Sequence, residues 1–252
     1  MDLSSNIDWQ LFTVDSDLSG SIAVGAEPDP GILMWSGSAW YHVSAEDYDE
    51  EDYPEPDRAP RWDAAVAKGY AFSLRNQDED FAQWQVLTMD GVIVDLFTAA
   101  TSIPDELDGM SADYGSLARI FSDNEFHPDL LETIEGFGSR AILIDRVHLA
   151  AAWRGLGGVG RLLISRILRM VNTIDAAVVA TIPFPVDLYA ECEDPGDIRR
   201  HPRFDEELRR VQRTWESLGF RQYNDEIWVM DPAKNHHNNG VRKIEARLPG
   251  HL

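Results

Sequence analysis

One run of thirty letters limits this chain more than any other: residues 141–170, AILIDRVHLAAAWRGLGGVGRLLISRILRM. It opens on apolar residues through Val147 and Leu149, which read as a central strand covered on both faces. A glycine-dense turn follows, Arg154-Gly155-Leu156-Gly157-Gly158-Val159-Gly160. With no Cβ in the way, such a turn lets a ligand approach the backbone and meet outward N–H groups. The spacing predicts a helix from about Arg161, and its N-terminus faces the same space, where unpaired N–H groups favour an anion. A phosphate-bearing ligand is the natural guest.

Charge agrees with this reading. The formal net charge is −22, yet residues 146–173 hold no Asp or Glu while carrying Arg146, Arg154, Arg161, Arg166 and Arg169. Arg154 and Arg161 flank the glycines and are expected at the ligand; Arg166 and Arg169 are expected on a solvated helix face. The acidic balance argues against nucleic acid and anionic membrane as partners, because both would be repelled. It would draw in a cationic substrate, or serve solubility alone. Eight tryptophans and 44% hydrophobic residues supply a sizeable core. Cys192 is the only cysteine, so no intrachain disulfide forms and a cytoplasmic setting is the default. The opening MDLSSNIDWQ does not resemble a signal peptide, and no apolar run is long enough to span a bilayer.

Three regions are expected: an N-terminal extension over 1–61 with an acidic loop at 45–57, a domain over 62–234, and a frayed tail over 235–252. Strands are expected at 21–24, 32–35, 66–74 and 84–88. Asp90-Gly91 has the chemistry of a tight hairpin, with 92–97 returning. Helices are expected over 114–121 and from His127-Pro128-Asp129 onward. Residues 176–181 read as a second buried strand, parallel to the first across a right-handed crossover. A polar insertion at 183–202 precedes an amphipathic helix over 204–218, with Leu208, Val211 and Trp215 on one face. A closing strand spans 222–230. His236 and His237 are too few to hold a metal, and no metal site is expected.

Gly155 to Gly160 satisfies G-x-G-x-x-G, the dinucleotide fingerprint. In that fold the first glycine follows the strand almost directly, whereas here Ala150-Ala151-Ala152-Trp153-Arg154 intervenes. The acid that binds ribose should close the next strand, which instead ends Ala180-Thr181-Ile182-Pro183, with Asp175 at its wrong end. A nucleoside-triphosphate loop needs Lys-Ser/Thr where Arg161-Leu162 stands.

The order strand, Arg-Gly-x-Gly turn, helix, strand, helix, Leu-Gly-Phe, strand resembles the GNAT acyltransferase superfamily. The resemblance rests on residues 142–168 and on Trp215-Glu216-Ser217-Leu218-Gly219-Phe220, and covers about 140–231 with a weaker extension back to Val66. It implies a mixed α/β fold, a twisted mixed sheet flanked by helices, with acetyl-coenzyme A as co-substrate. The backbone at Leu149 would hold the pantetheine arm. Arg154 and the N–H groups of Gly155, Leu156, Gly157, Gly158, Val159, Gly160 and Arg161 would hold the pyrophosphate. Two departures stand out. The family turn is Arg/Gln-x-x-Gly-x-Gly/Ala; counted from Arg154 it meets Gly157 and then Val159, and counted back from Gly160 it meets Gly158 and then Gly155. One extra residue therefore sits in the turn. Trp215 also stands where the family often has a Tyr that protonates the departing thiolate.

The implied chemistry is acyl transfer from a thioester to an amine, which requires a base and a donor to the carbonyl oxygen. Asp145 is the chosen base: on a regular strand it shares a face with Leu143, Val147 and Leu149, where apolar neighbours raise a carboxyl pKa. Its competing role is a salt bridge to Arg146 or Arg140. His148 is the second choice, and Glu125 and His127 are loop candidates. The N–H of Leu149 or Ala150 would serve the carbonyl oxygen. The expected activity is an acetyl-CoA-dependent N-acyltransferase acting on a small-molecule or peptide amine. The alternatives are an NAD(P)-binding oxidoreductase and a non-catalytic acyl-CoA-binding protein. The 183–202 insertion and the first hundred residues are expected to shape the acceptor site.

Overall fold

The computed structural model describes residues 12–19, 29, 31–44, 69, 71–76, 81–156, 158–171, 176–192, 194–234, 241–243 and 245–246. Its frame is a large sheet built from β1 (Phe12–Ser19), β2 (Ile32–Ser44), β3 (Leu74–Asn76), β4 (Phe81–Asp95), β7 (Arg140–Leu149), β8 (Ala176–Thr181), β9 (Arg221–Asn224) and β10 (Ile227–Met230). The order is β1-β2-β4-β7-β8-β10-β9, with β3 also paired to β4. Only β7 and β8 run parallel; every other pair is antiparallel. The chain is thus mixed α/β with a mostly antiparallel sheet flanked by helices. A short ribbon of β5 (Phe121–Ser122) and β6 (Glu125–Phe126) stands apart.

Apolar patterning explains the layers. All six residues of β8 are buried, because each of its faces meets a core. One core joins Trp35, Met89, Ile142 and Ile144 to the helix α4 (Val159–Met170). The other joins Val92, Leu143 and Val178 to α1 (Ile103–Met110) and α2 (Ala112–Leu117). Ser111 links those two helices: its main chain caps the end of α1, and its hydroxyl accepts from the Tyr114 N–H at 3.1 Å. α1 was missed from sequence, although Ser102 caps it by accepting from the Asp105 N–H and Pro104, Asp105 and Glu106 fill its first turn.

Several expectations change. Asp90-Gly91 makes no hairpin; β4 runs straight through it. A Cβ on Gly91 would strike the Leu143 carbonyl and the Trp35 indole, so the glycine serves a close approach between strands rather than a turn. Of the strand expected over 66–74, residues 66–68 and 70 lie outside the described residues, 69 and 71–73 are not strand, and β3 begins at Leu74. The expected helix over 114–121 is α2 plus a 3₁₀ turn, and the helix after His127 is one turn, α3 (Pro128–Leu131). The closing strand is the hairpin β9–β10, turning at Asp225-Glu226. The 183–202 insertion folds as two 3₁₀ segments, Val186–Glu191 and Pro195–Arg200, around Leu188, Ile198 and Phe204. Beyond 240, Val241 is fully buried in the first core and Glu245 pairs with Arg166 at 3.0 Å, so these residues dock on α4 rather than fray. The expected strand at 21–24 and the acidic loop at 45–57 lie outside the described residues.

The Leu-Gly-Phe motif closes α5 (Phe204–Ser217). The N–H of Phe220 donates to the Trp215 carbonyl at 3.1 Å, that of Gly219 to Glu216 at 2.9 Å, and Gly219 has φ +94°. This is a Schellman cap, which only glycine adopts without strain at the left-handed position. The apolar contact that accompanies such a cap is Trp215 against Phe220, ring centroids 4.8 Å apart. Trp215 is thereby fixed with one face toward the site.

Candidate functional site

The site begins where two parallel strands part. Pairing between β7 and β8 runs from Arg140↔Ala176 to Ile144↔Thr181 and stops there. Pro183 and Pro185 carry no N–H to extend β8, while β7 continues to Leu149. Residues 145–149 therefore keep β4 on one side and face a cleft on the other.

Register decides which main-chain groups enter that cleft. The Ala150 N–H donates to the Val86 carbonyl at 2.8 Å, so Ala150 bonds toward β4 and is no donor to a guest. Antiparallel alternation then turns the N–H and C=O of Leu149, and of Val147, away from β4. Of the two candidate oxygen donors, the geometry leaves Leu149.

Asp145 is the extra residue of a β-bulge: Asp90 pairs with Arg146 and Gly91 with Ile144. The bulge overturns the expected alternation. Leu143 faces the second core, whereas Val147 and Leu149 pack against the first, together with Ile142 and Ile144. Asp145 stands at the break between the two sets and borders the cleft. Its side chain retains 15% exposure, and Oδ1 is buried with no hydrogen-bond partner among the described residues. Burial pushes its carboxyl above the ordinary carboxylate range; Asp113 and Asp90 add to the rise, and Arg146 and His148 oppose it. The Arg146 Nε lies 3.6 Å from Oδ2, a loose pair, while Arg140 is engaged by Asp95 at 3.0 Å. Burial likewise raises Asp90 and Tyr114, the latter further by the Asp145 charge.

The turn closes the other end. Trp153, fully buried, anchors it between Phe12 and Tyr41 at centroid distances of 5.4 and 4.8 Å. Gly155 and Gly158 take φ of +75° and +116°. Gly158 is the N-cap of α4 and offers no side chain, so no side-chain bond satisfies the first turn. The Val159 N–H reaches the Leu156 carbonyl at 3.1 Å; those of Gly160 and Arg161 are the next two positions, which have no backbone acceptor among the described residues. A Cβ on Gly160 would come within 2.9 Å of Leu149 Cδ2, so helix and strand meet here by way of glycine.

Between these ends lies a cleft of 760 Å³. Asp145, Leu149, Arg154, Gly155, Leu156, Gly158, Val159, Gly160 and Arg161 all border it; Gly157 lies outside the described residues. The floor is Leu87, Val147 and Leu149, and the far wall is Phe184, Val186, Val211 and Trp215. Phe184 and Val186 come from the 183–202 insertion and Val211 and Trp215 from the apolar stripe of α5; the sequence did not show that these two segments meet across one cleft from the glycine turn. Four arginines and four acids border the space. Arg154 pairs with Asp187 at 2.7 Å, Arg210 with Glu207 at 3.6 Å, and Arg203 with Glu191. Among the described residues Arg161 has no ion-pair partner, and it stands beside the open helix end.

The remaining candidates lie elsewhere. His127 caps α3 by accepting from the Asp129 N–H, with the Tyr223 hydroxyl 3.4 Å from its Nδ1; neither residue borders the cleft, nor does Glu125. His148 packs edge-on to Phe72 and also stands outside it. Among the described residues no helix is long and apolar enough to cross a membrane.

No family model, curated protein or solved structure matches this chain.

Proposed function

We propose that the chain binds acetyl-coenzyme A in this cleft and transfers its acyl group to an amine, as the likeness to GNAT acyltransferases implies. The observation that carries the reading is the parting of β7 from β8 beside a helix whose Gly160 and Arg161 amides have no acceptor among the described residues. An extended arm fits along the free edge of 145–149, and a diphosphate fits the Gly160 and Arg161 amides beside the Arg161 guanidinium. The fit is also tested by an orphan: the buried Asp145 Oδ1 lacks a donor, and an incoming amine supplies one.

Bound there, the thioester supplies an acyl group activated toward nitrogen. The Leu149 N–H donates to its carbonyl oxygen. Asp145 accepts the proton that the amine loses as its nitrogen bonds to the acyl carbon, and burial holds that carboxyl basic enough for the task. The C–S bond breaks and the thiolate leaves. Trp215 is no acid, so solvent returns the proton that makes the thiol. A second reading, binding without turnover, draws its support from Trp215 alone.

The test is a melting titration with acetyl-CoA, NAD and ATP in parallel. The expected result is a rise with acetyl-CoA only, growing with the logarithm of its concentration. A rise with NAD alone would overturn the reading in favour of an oxidoreductase. Acetyl-CoA stabilisation without acylation of any member of a broad amine panel would favour the non-catalytic alternative.

A further inference from the structure

Arg154 spans the mouth of the cleft. Its Nε donates to the Leu149 carbonyl at 2.9 Å, and its Nη2 donates to Asp187 Oδ1 at 2.7 Å. The first contact occupies the acceptor that the open half of β7 turns toward a guest. The second reaches the opposite lip, the 3₁₀ segment Val186–Glu191. One guanidinium therefore ties the strand end to the facing wall and covers the carbonyl that an extended amide arm would use.

A diphosphate changes the balance. Arg161 is the one uncommitted cation described at the cleft, since Arg203 and Arg210 are held by Glu191 and Glu207. Arg154 is the residue before Gly155 and begins the turn itself, so a diphosphate at the turn competes with Asp187 for it. Asp187 is about half exposed, which makes its hold on Arg154 modest and its loss to a stronger anion easy.

We propose that Arg154 is a strap released by the ligand's own diphosphate, with Asp187 as the competing anion and the Leu149 carbonyl as the group set free. This rests on the coenzyme reading above. Its consequence is selectivity: an arm that arrives with a diphosphate opens the strap, and the same arm without one must displace it unaided. Arg154 and Asp187 are thus positioning residues for the strand edge.

Isothermal titration of CoA and of pantetheine, which has the arm but no phosphate, separates the possibilities. Asp187→Asn should tighten CoA about two- to fivefold, the range of a partly exposed ion pair. Arg154→Ala should act with opposite signs, weakening CoA while tightening pantetheine, because the carbonyl is free but the diphosphate has lost a cation. A residue that merely supports the fold would weaken both ligands. Asp187→Asn replaces an exposed side chain by its isostere, so it tests the strap even if Arg154→Ala folds poorly. CoA affinity unchanged in Asp187→Asn, or both ligands weakened by Arg154→Ala, would overturn the strap while leaving the coenzyme reading intact. A wild-type protein that binds neither ligand would overturn both.

Discussion

Residues 140–144 and 145–149 belong to one strand but meet different surroundings. The first half is hydrogen-bonded on both sides, and its Ala141, Ile142, Leu143 and Ile144 are essentially unexposed. The second half has β4 on one side and a cleft on the other, and its residues are only partly buried. The boundary is a bulged aspartate. Backbone groups in the first half are spent on the fold; those in the second remain for a guest. Packing rules govern the former, and the chemistry of a site governs the latter.

That contrast can be broken by substitution, and the largest effect should come at the boundary. Asp145→Asn should slow acyl transfer by about 10²–10⁴-fold if the carboxylate is the base, measured as release of free thiol. The same change should raise stability. Because the folded pKa lies above the unfolded one, the stability that Asp145 contributes is fullest in acid, below the unfolded pKa, and is lost as pH rises through the folded one. Asn stays neutral throughout. Its melting temperature should exceed wild type near neutrality, with the gap closing in acid; a lower value at neutral pH would contradict the burial argument.

Next in size is Leu143→Ala in the closed half, expected to cost about 2–5 kcal/mol in urea unfolding, the range for emptying a filled core site. Val147→Ala in the open half should cost less and weaken CoA binding instead. If both variants destabilise equally and neither alters binding, the two halves are not distinct. Gly160→Val should then abolish the melting shift with acetyl-CoA, because its Cβ presses on Leu149 and its branches enter the cleft. An unchanged shift would place the diphosphate elsewhere. The smallest effect is predicted far from the cleft: Arg166→Ala, losing the Glu245 pair, should cost no more than about 1 kcal/mol and leave CoA affinity as it was.

The strand, turn and helix around the site were legible in the sequence because each has a local cause: a long apolar run, clustered glycines, a 3.6-residue period. The parallel β8 was legible for the same reason, since a strand covered on both faces has no polar side. The bulge was not. Asp90-Gly91 has the chemistry of a tight turn, and only the approach of Leu143 and Trp35 reveals that Gly91 is needed for space between strands. Missing it put Leu143, Val147 and Leu149 on one face with Asp145, whereas the bulge divides them between the two cores. The charged side of the cleft was equally hidden, because in sequence Arg203, Glu207 and Arg210 look like the solvated face of a helix. Val241 could not be read as core either: a single apolar residue among polar neighbours has no period to announce it.

Amide resonances of ¹⁵N-labelled protein during a CoA titration test the central claim most directly. The account predicts that Leu149, Gly160 and Arg161 move in proportion to bound ligand while Ile142, Leu143 and Ile144 stay still. Saturating CoA that leaves Leu149, Gly160 and Arg161 unmoved, with the shifts gathered on another part of the sheet, would contradict it.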